Sequence, residues 1–208
     1  LQHNQQQDIL NYQHNKGLNV TNNIAARAAA GKYIIRLDAD DYFATNALEK
    51  MSGKLETNPE LGMVFPNYYY VDENDRIIGE EIRHDFDNNE VSLLDQPAHG
   101  ACTMIRTDFL KEIGGYDESF NCQDGYELWI KFTRRFKVSN LQEPLFYYRK
   151  HGSNLTSNEE LILKTRAKIN QKYINKRQTE NSTLVIIPIR GGDQDLAFQS
   201  INGKNILT

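Results

Sequence analysis

No apolar run in this chain approaches the ~20 residues a helix needs to cross a bilayer, so no transmembrane segment is expected. The start, from Leu1 to Asp8, is rich in glutamine and lacks the charged and apolar regions of a signal peptide. Cysteine is scarce. Cys102 and Cys122 have neither metal-ligand spacing nor the density of a disulfide framework, so reduced thiols are expected. The location expected is cytoplasmic, at most peripheral to the inner face of a membrane. Basic runs are absent too: 24 Lys and Arg are scattered among 28 Asp and Glu, for a net charge of -4. That leaves no electrostatic footprint for nucleic acid and favours a small-molecule or carbohydrate partner. No internal repeat is present.

With 39% hydrophobic and 25% charged residues, the 208-residue chain suits one globular domain with a sizeable core and a short appendage. Helical and strand patterns alternate, which predicts an α/β fold with a mainly parallel sheet flanked by helices. A short strand is expected at 9–13, then an alanine-rich helix at 18–30 closed by Gly31, and a strand at 33–37. Residues 44–56 have helical spacing through Leu48, Met51 and Leu55, stopped by Asn58-Pro59. Strands are expected at 63–71, 76–78 and 101–106, with a turn at 72–75 and a polar, loop-like stretch at 80–97. A helix at 108–113, the Gly114-Gly115 turn and an amphipathic helix at 125–136 follow, with Leu128, Trp129 and Phe132 assigned to the core. Two short strands split by Pro144 and a long basic surface helix at 159–177 end the domain. The boundary is drawn at 180, leaving 181–208 as a tail.

Asp38-Ala39-Asp40-Asp41 puts three carboxylates at the carboxyl end of an apolar strand, the edge where open α/β sheets hold ligands. Two like charges ~4 Å apart repel by about 1 kcal/mol in water and more in a drier cleft, so a bound cation is an economical reading. Oxygen ligands suit Mg²⁺ or Mn²⁺, which complete their shells with water and phosphate oxygens. The plain alternative is an acidic loop whose Asp41 caps the following helix.

Context extends the motif. Asn15-Lys16-Gly17, the segment Ala25 to Gly31, and Tyr33-Ile34-Ile35-Arg36-Leu37-Asp38-Ala39-Asp40-Asp41 closely resemble the core signature of family-2 glycosyltransferases. Gly114-Gly115-Tyr116-Asp117-Glu118, Asp124-Gly125-Tyr126-Glu127-Leu128-Trp129 and Tyr147-Tyr148-Arg149-Lys150-His151-Gly152-Ser153-Asn154 match it in the same order, over about residues 9–155. The resemblance implies a GT-A fold, a nucleotide-diphosphate sugar donor, a carbohydrate or lipid-linked acceptor, a divalent metal and inversion at the anomeric carbon. It also suggests a place in bacterial surface-polysaccharide synthesis.

By the same resemblance, Asp40 is assigned to the metal and Asp38 to metal or ribose, with Asp41 sharing either task. His151 helps hold metal or diphosphate, and Arg149 or Lys150 supplies charge for the phosphates. Asp124 occupies the position of the general base that inversion requires. As a plainer alternative it caps the helix that follows. Relatives often have Glu-Asp where this chain has Gln123-Asp124, which makes Glu127 the runner-up base. His99-Gly100 falls where relatives admit the acceptor, although an ordinary loop explains it as well.

Complete relatives begin with a strand and turn that hold the nucleotide base, and that unit is missing from the match, so the GT-A fold is expected to be N-terminally incomplete. The tail, with Val185 to Gly192 and Asn202-Gly203-Lys204, weakly resembles the opening of a sugar nucleotidyltransferase. Asp193-Gln194-Asp195 stands there in place of the basic stretch such enzymes carry. Two other readings therefore remain beside the glycosyltransferase: a noncatalytic GT-A-like binding or assembly module, and part of a nucleotidyltransferase.

Overall fold

A computed structural model describes residues 15–83, 100–120, 122–151, 159–178, 183–186 and 198–201. The expected strand at 9–13, the loop from 84 to 97, His99, and the tail's Gly191-Gly192 and Asn202-Gly203-Lys204 lie outside the described residues.

Among the described residues five helices, α1 (Leu18–Ala28), α2 (Ala47–Thr57), α3 (Thr107–Glu112), α4 (Asp124–Thr133) and α5 (Glu159–Gln178), accompany a six-stranded sheet. Its strands are β1 (Tyr33–Ile35), β2 (Tyr42–Phe43), β3 (Leu61–Val71), β4 (Ile77–Glu81), β5 (Met104–Arg106) and β6 (Lys137–Arg149). They run in the order β1-β5-β3-β6-β2, with β4 also paired to β3. β6 accompanies β3 along its length on one side, whereas β5 pairs with Met63 and Val64 and β4 with the stretch from Tyr68 to Val71.

The fold is α/β, but the sheet is mixed where a mainly parallel one was expected. Only β3 and β6 run parallel among the described pairs; β1–β5, β2–β6, β3–β4 and β3–β5 are antiparallel. A parallel pair needs a crossover of a dozen or more residues. The β3-to-β6 connection contains α3 and α4 and meets that need, while β4 returns after the short 72–76 turn.

Alternation along the strands splits the core into two layers. Val64, Met104 and Leu145 pack on Ala47, Met51 and Leu55 of α2. The neighbours Met63 and Ile105, with Phe65, pack against Ala26 of α1, Leu110 of α3, and Leu128, Trp129 and Phe132 of α4. Each fully buried Leu or Phe contributes about 1.5–3 kcal/mol of transfer free energy. The assignment of Leu128, Trp129 and Phe132 to the core holds.

Two expectations are corrected. Pro144 does not divide two strands: β6 runs through it, and its pairing with β3 steps from Pro66–Leu141 to Asn67–Pro144 and Tyr68–Phe146, so that Gln142, Glu143 and Leu145 are extra residues bulged on β6 around the residue that lacks an N–H donor. The helix at 159–178 is more than a surface helix. Ile169 and Tyr173 pack on Tyr126 and Ile130 of α4, and the Tyr126 hydroxyl donates to Asn170 Oδ1 at 3.0 Å. Past α5, β7 (Thr183–Ile186) and β8 (Phe198–Ile201) form a separate antiparallel pair. No helix among the described residues is long and apolar enough to cross a membrane.

Candidate functional site

The acidic loop descends from β1 and closes in a turn in which the Asp41 N–H donates to the Asp38 carbonyl at 3.1 Å. β2 follows at once, and its pairing of Tyr42 with Tyr147 and Phe43 with Phe146 on β6 brings residues 40 and 41 beside 149 and 151. The Tyr42 and Tyr147 rings stack at 4.5 Å, which fixes this register further.

His151 Nε2 lies 2.8 Å from Asp40 Oδ2. An ionised carboxylate only accepts, so Nε2 carries the proton in this pair. That hydrogen bond holds the Asp40 carboxyl below its usual range against the opposing effect of burial. Asp40 and His151 side chains remain 40% and 26% exposed, so a ligand can reach them from solvent.

Asp41 is different. It is 8% exposed, and Oδ1 accepts the Arg149 backbone N–H at 2.9 Å while Oδ2 is buried without a hydrogen-bond partner. Burial pushes its pKa up to about 6; the Arg149 N–H opposes this, and the charges of Asp40 and Asp38 add to it. Asp41 does not cap a helix, since α2 begins at Ala47 after Asn46. Asp38 is paired with Arg36, its Oδ1 lying 2.8 Å from Nε.

Arg149 spends its guanidinium on structure. Nε donates to the Asp40 carbonyl at 2.9 Å, Nη1 to the Asp72 carbonyl at 2.7 Å, and Nη2 to the Asp75 carboxylate at 2.5 Å. It ties the acidic loop to the β3–β4 turn, where Asp75 stands at φ 62°. The sequence marked 72–75 only as a turn; nothing in it showed that the turn belongs beside residues 40 and 41. Lys150 Nζ sits 3.7 Å from the centre of the Tyr70 ring, whose hydroxyl donates to Glu81 Oε2 at 3.0 Å.

The candidate base lies at the start of α4. Asp124 is the first residue of that helix and Gln123 its N-cap, in the left-handed region at φ 60° and ψ 33°. Glu127 is 1% exposed, accepts a hydrogen bond from the Tyr173 hydroxyl of α5, and has Oε2 3.2 Å from Lys131 Nζ. The runner-up base is thus enclosed between α4 and α5. Burial, and then the Glu127 carboxylate, push the Tyr173 phenol above its ordinary range.

Two residues that sequence reasoning passed over hold the Gly114-Gly115-Tyr116-Asp117-Glu118 turn. Asn23 of α1 donates to the Tyr116 carbonyl and accepts the Tyr116 N–H, both at 2.8 Å, and Asn19 donates to the carbonyls of Asp117 at 2.7 Å and Phe120 at 2.9 Å. Their signal was two asparagines one helical turn apart on the buried face of α1, where apolar residues are the rule.

Among the described residues no three His, Cys, Asp or Glu side chains gather into a ready metal cage. The Asp40–His151 pair nevertheless fits a hard divalent ion. Neighbouring ligands of an octahedral ion, each ~2.1 Å from it, stand about 3 Å apart, close to the 2.8 Å between Oδ2 and Nε2, and such ions commonly take one or two protein carboxylates. The Nε2 proton would be displaced on binding.

A mixed α/β sheet with an acidic loop at its edge, answered by an arginine and a histidine from the end of β6, defines a GT-A-type fold. Residues 4–114 match Glycosyl transferase family 2. The chain belongs to that family. It is 30% identical over 139 residues to the uncharacterized glycosyltransferase MJ1057 of Methanocaldococcus jannaschii, covering 65% of this chain and 48% of that protein. It is 29% identical over 152 residues to the Escherichia coli UDP-Glc:alpha-D-GlcNAc-diphosphoundecaprenol beta-1,3-glucosyltransferase WfaP, covering 71% and 58%. The chain therefore spans about half the length of the curated relatives it matches. Staphylococcus aureus TarS, solved in complex with UDP-GlcNAc, superposes with a TM-score of 0.53 at 18% identity, over 69% of this chain and 42% of that one, and shares the fold.

Proposed function

We propose that this chain carries the sugar-transferring centre of a glycosyltransferase that moves a sugar from a nucleotide-diphosphate donor to an acceptor hydroxyl with inversion. The observation that carries the reading is the Asp40–His151 pair at 2.8 Å, built by two segments 111 residues apart at one edge of the sheet. Asp40 and His151 hold a Mg²⁺ or Mn²⁺ ion, with Asp38 contributing to the ion or to the donor's ribose. When bound, that ion supplies positive charge to the departing diphosphate.

The chain's own residues do the rest. Asp124 accepts the acceptor's hydroxyl proton as its oxygen bonds to the anomeric carbon and the bond from that carbon to the diphosphate oxygen breaks. Arg149 holds the acidic loop in place. Lys150, exposed over Tyr70, is the cation free of the Arg149 network and the better of the two for a phosphate. WfaP is named for a UDP-sugar donor and a lipid-diphosphate-linked acceptor, which supports a donor of that class and a carbohydrate or lipid-linked acceptor. Surface-polysaccharide synthesis is the setting that fits.

The test is release of nucleoside diphosphate by the intact protein from a panel of UDP-, GDP- and dTDP-sugars, with and without Mn²⁺. One donor is expected to be consumed in a metal-dependent way, with loss of activity in both Asp40→Asn and Asp124→Asn. Calorimetry showing no nucleoside diphosphate bound in the presence of Mn²⁺ would remove the reading.

A further inference from the structure

The segment that leads into Asp124 is held in an unfavourable backbone shape by a helix from a distant part of the chain. Gln123 adopts φ 60° and ψ 33°, a region that residues with a side chain seldom enter. Its carbonyl accepts the Glu127 N–H at 3.1 Å, so the same residue sets where α4 begins. Its side-chain Oε1 accepts Arg166 Nε of α5 at 2.8 Å. One residue earlier, Cys122 Sγ lies 3.1 Å from Thr165 Oγ1, on the adjacent position of α5. Arg166 is fixed in turn, with its guanidinium 5.1 Å from the centre of the Tyr126 ring.

Strained positions persist where surrounding structure over-determines them, and they concentrate where geometry matters for chemistry. The strain here falls on the residue that immediately precedes the proposed base. α5 lies beyond the family match, which ends at residue 114. Its contacts with residues 122 and 123 show that it does more than close the core.

We infer that Arg166 is a positioning residue for the transfer reaction, holding Gln123 in the left-handed conformation from which the backbone of α4 starts at Asp124. The inference rests on the reading of Asp124 as the base. Arg166 touches neither donor nor acceptor; its effect passes through Gln123. Its loss therefore lowers turnover while donor binding at the Asp40–His151 edge is preserved.

The experiment uses the intact protein with whichever nucleotide sugar of the panel it consumes, in Mn²⁺, and measures kcat, donor KM and thermal melting for Arg166→Ala, Gln123→Leu, their double variant and Gln123→Glu. Arg166→Ala and Gln123→Leu are expected to lower kcat by about ten- to a hundredfold, the scale of a misplaced catalytic group, with donor KM within about twofold. The double variant is expected to cost no more than either single change, since both act through one contact. Gln123→Glu keeps an acceptor for Arg166 and is expected to recover most of the turnover lost in Gln123→Leu. Unchanged kcat in Arg166→Ala, or a lowered melting temperature with no change in kcat, overturns the inference, as do additive losses in the double variant. Asp124→Asn separates the two readings. If it is inactive while Arg166→Ala turns over normally, only the positioning role fails; if it retains full kcat, the base assignment fails and the positioning role with it.

Discussion

The backbone N–H of Arg149 donates to Asp41 Oδ1 at 2.9 Å, across 108 residues of sequence. Through its side chain the same residue reaches the Asp40 carbonyl, the Asp72 carbonyl and the Asp75 carboxylate, so one arginine at the end of β6 fixes both the acidic loop and the β3–β4 turn. Because the Arg149 amide is a neutral donor, it satisfies one Asp41 oxygen without neutralising the group, and Oδ2 is left buried and unbonded. Asp41 is thus held at a cost that the Arg149 amide only partly offsets, which gives the first two predictions their direction.

Asp41→Asn is expected to stabilise the metal-free protein at neutral pH. The folded-state pKa of about 6 lies above the ordinary value of 3.8, so the fold disfavours the ionised carboxylate. The penalty is absent below pH 4, grows between about pH 4 and 6 and is complete above that, at up to about 3 kcal/mol. The stability gain of the Asn variant in chelator should follow that window, measured by denaturant melts from pH 4 to 8. A gain that is the same at pH 4 and pH 8 would show that burial of the charge is not its cause.

Arg149→Lys is expected to weaken Mn²⁺ binding by about ten- to a hundredfold, the usual cost of removing a group that orients a metal ligand. A lysine carries one nitrogen and cannot bridge Asp40, Asp72 and Asp75 together. Titration of Mn²⁺ by calorimetry or electron paramagnetic resonance checks this. Wild-type affinity in the lysine variant would mean that the acidic loop holds its shape without the strut.

Asp117 links the glycine turn to α5, where it accepts from Lys172 as well as from the Ser119 hydroxyl and N–H. Burial works against its charge, but the Lys172 and Ser119 hydrogen bonds outweigh it and hold the pKa at about 2. A depressed carboxyl contributes stability that is full above its unfolded value near 4 and is lost as pH falls through 2. Asp117→Asn should therefore cost about 1 kcal/mol at pH 7, after allowance for solvent screening, with the cost shrinking as pH falls towards 2 and vanishing below it. Equal stability of variant and wild type at pH 7 would show that the ion pair contributes nothing there.

Gly62 occupies a position where a side chain has no room. A Cβ there would stand 2.7 Å from Phe109 Cδ2 and from Phe132 Cε1 and Cζ, all ring atoms of packed aromatics. Gly62→Ala is expected to cost about 1–3 kcal/mol through overpacking, read as a lower melting temperature. An unchanged melting temperature would mean that the α3–α4 layer repacks freely.

Much of the fold was legible because its cause is local. The apolar spacing of α2 and α4, the glycine pair at 114 and 115, now at φ 80° and 67°, and the 72–75 turn are each set by a few neighbouring residues. The direction of strand pairing was not local. Hydrophobic alternation marks a strand without showing which way its neighbour runs, so the antiparallel β5 between β1 and β3 went unseen. Pro144 misled because proline alone does not show whether a strand ends or bulges, and here β6 bulges on both sides of it and stays paired with β3.

In the site the division is the same. The sequence alone determined the inventory: three aspartates after an apolar strand, a later Asp at a helix start, and an Arg-Lys-His end to another strand, in an order specific enough to name the family. Tertiary structure decided the assignments within it. It spent Arg149 on holding loops, enclosed Glu127 with Tyr173, set Asp40 against His151, and brought Arg166 to Gln123. Residue type fixes what a side chain can do in chemistry. Which task it performs depends on the partners within about 3 Å, and here those partners come from segments 40 to more than 100 residues away.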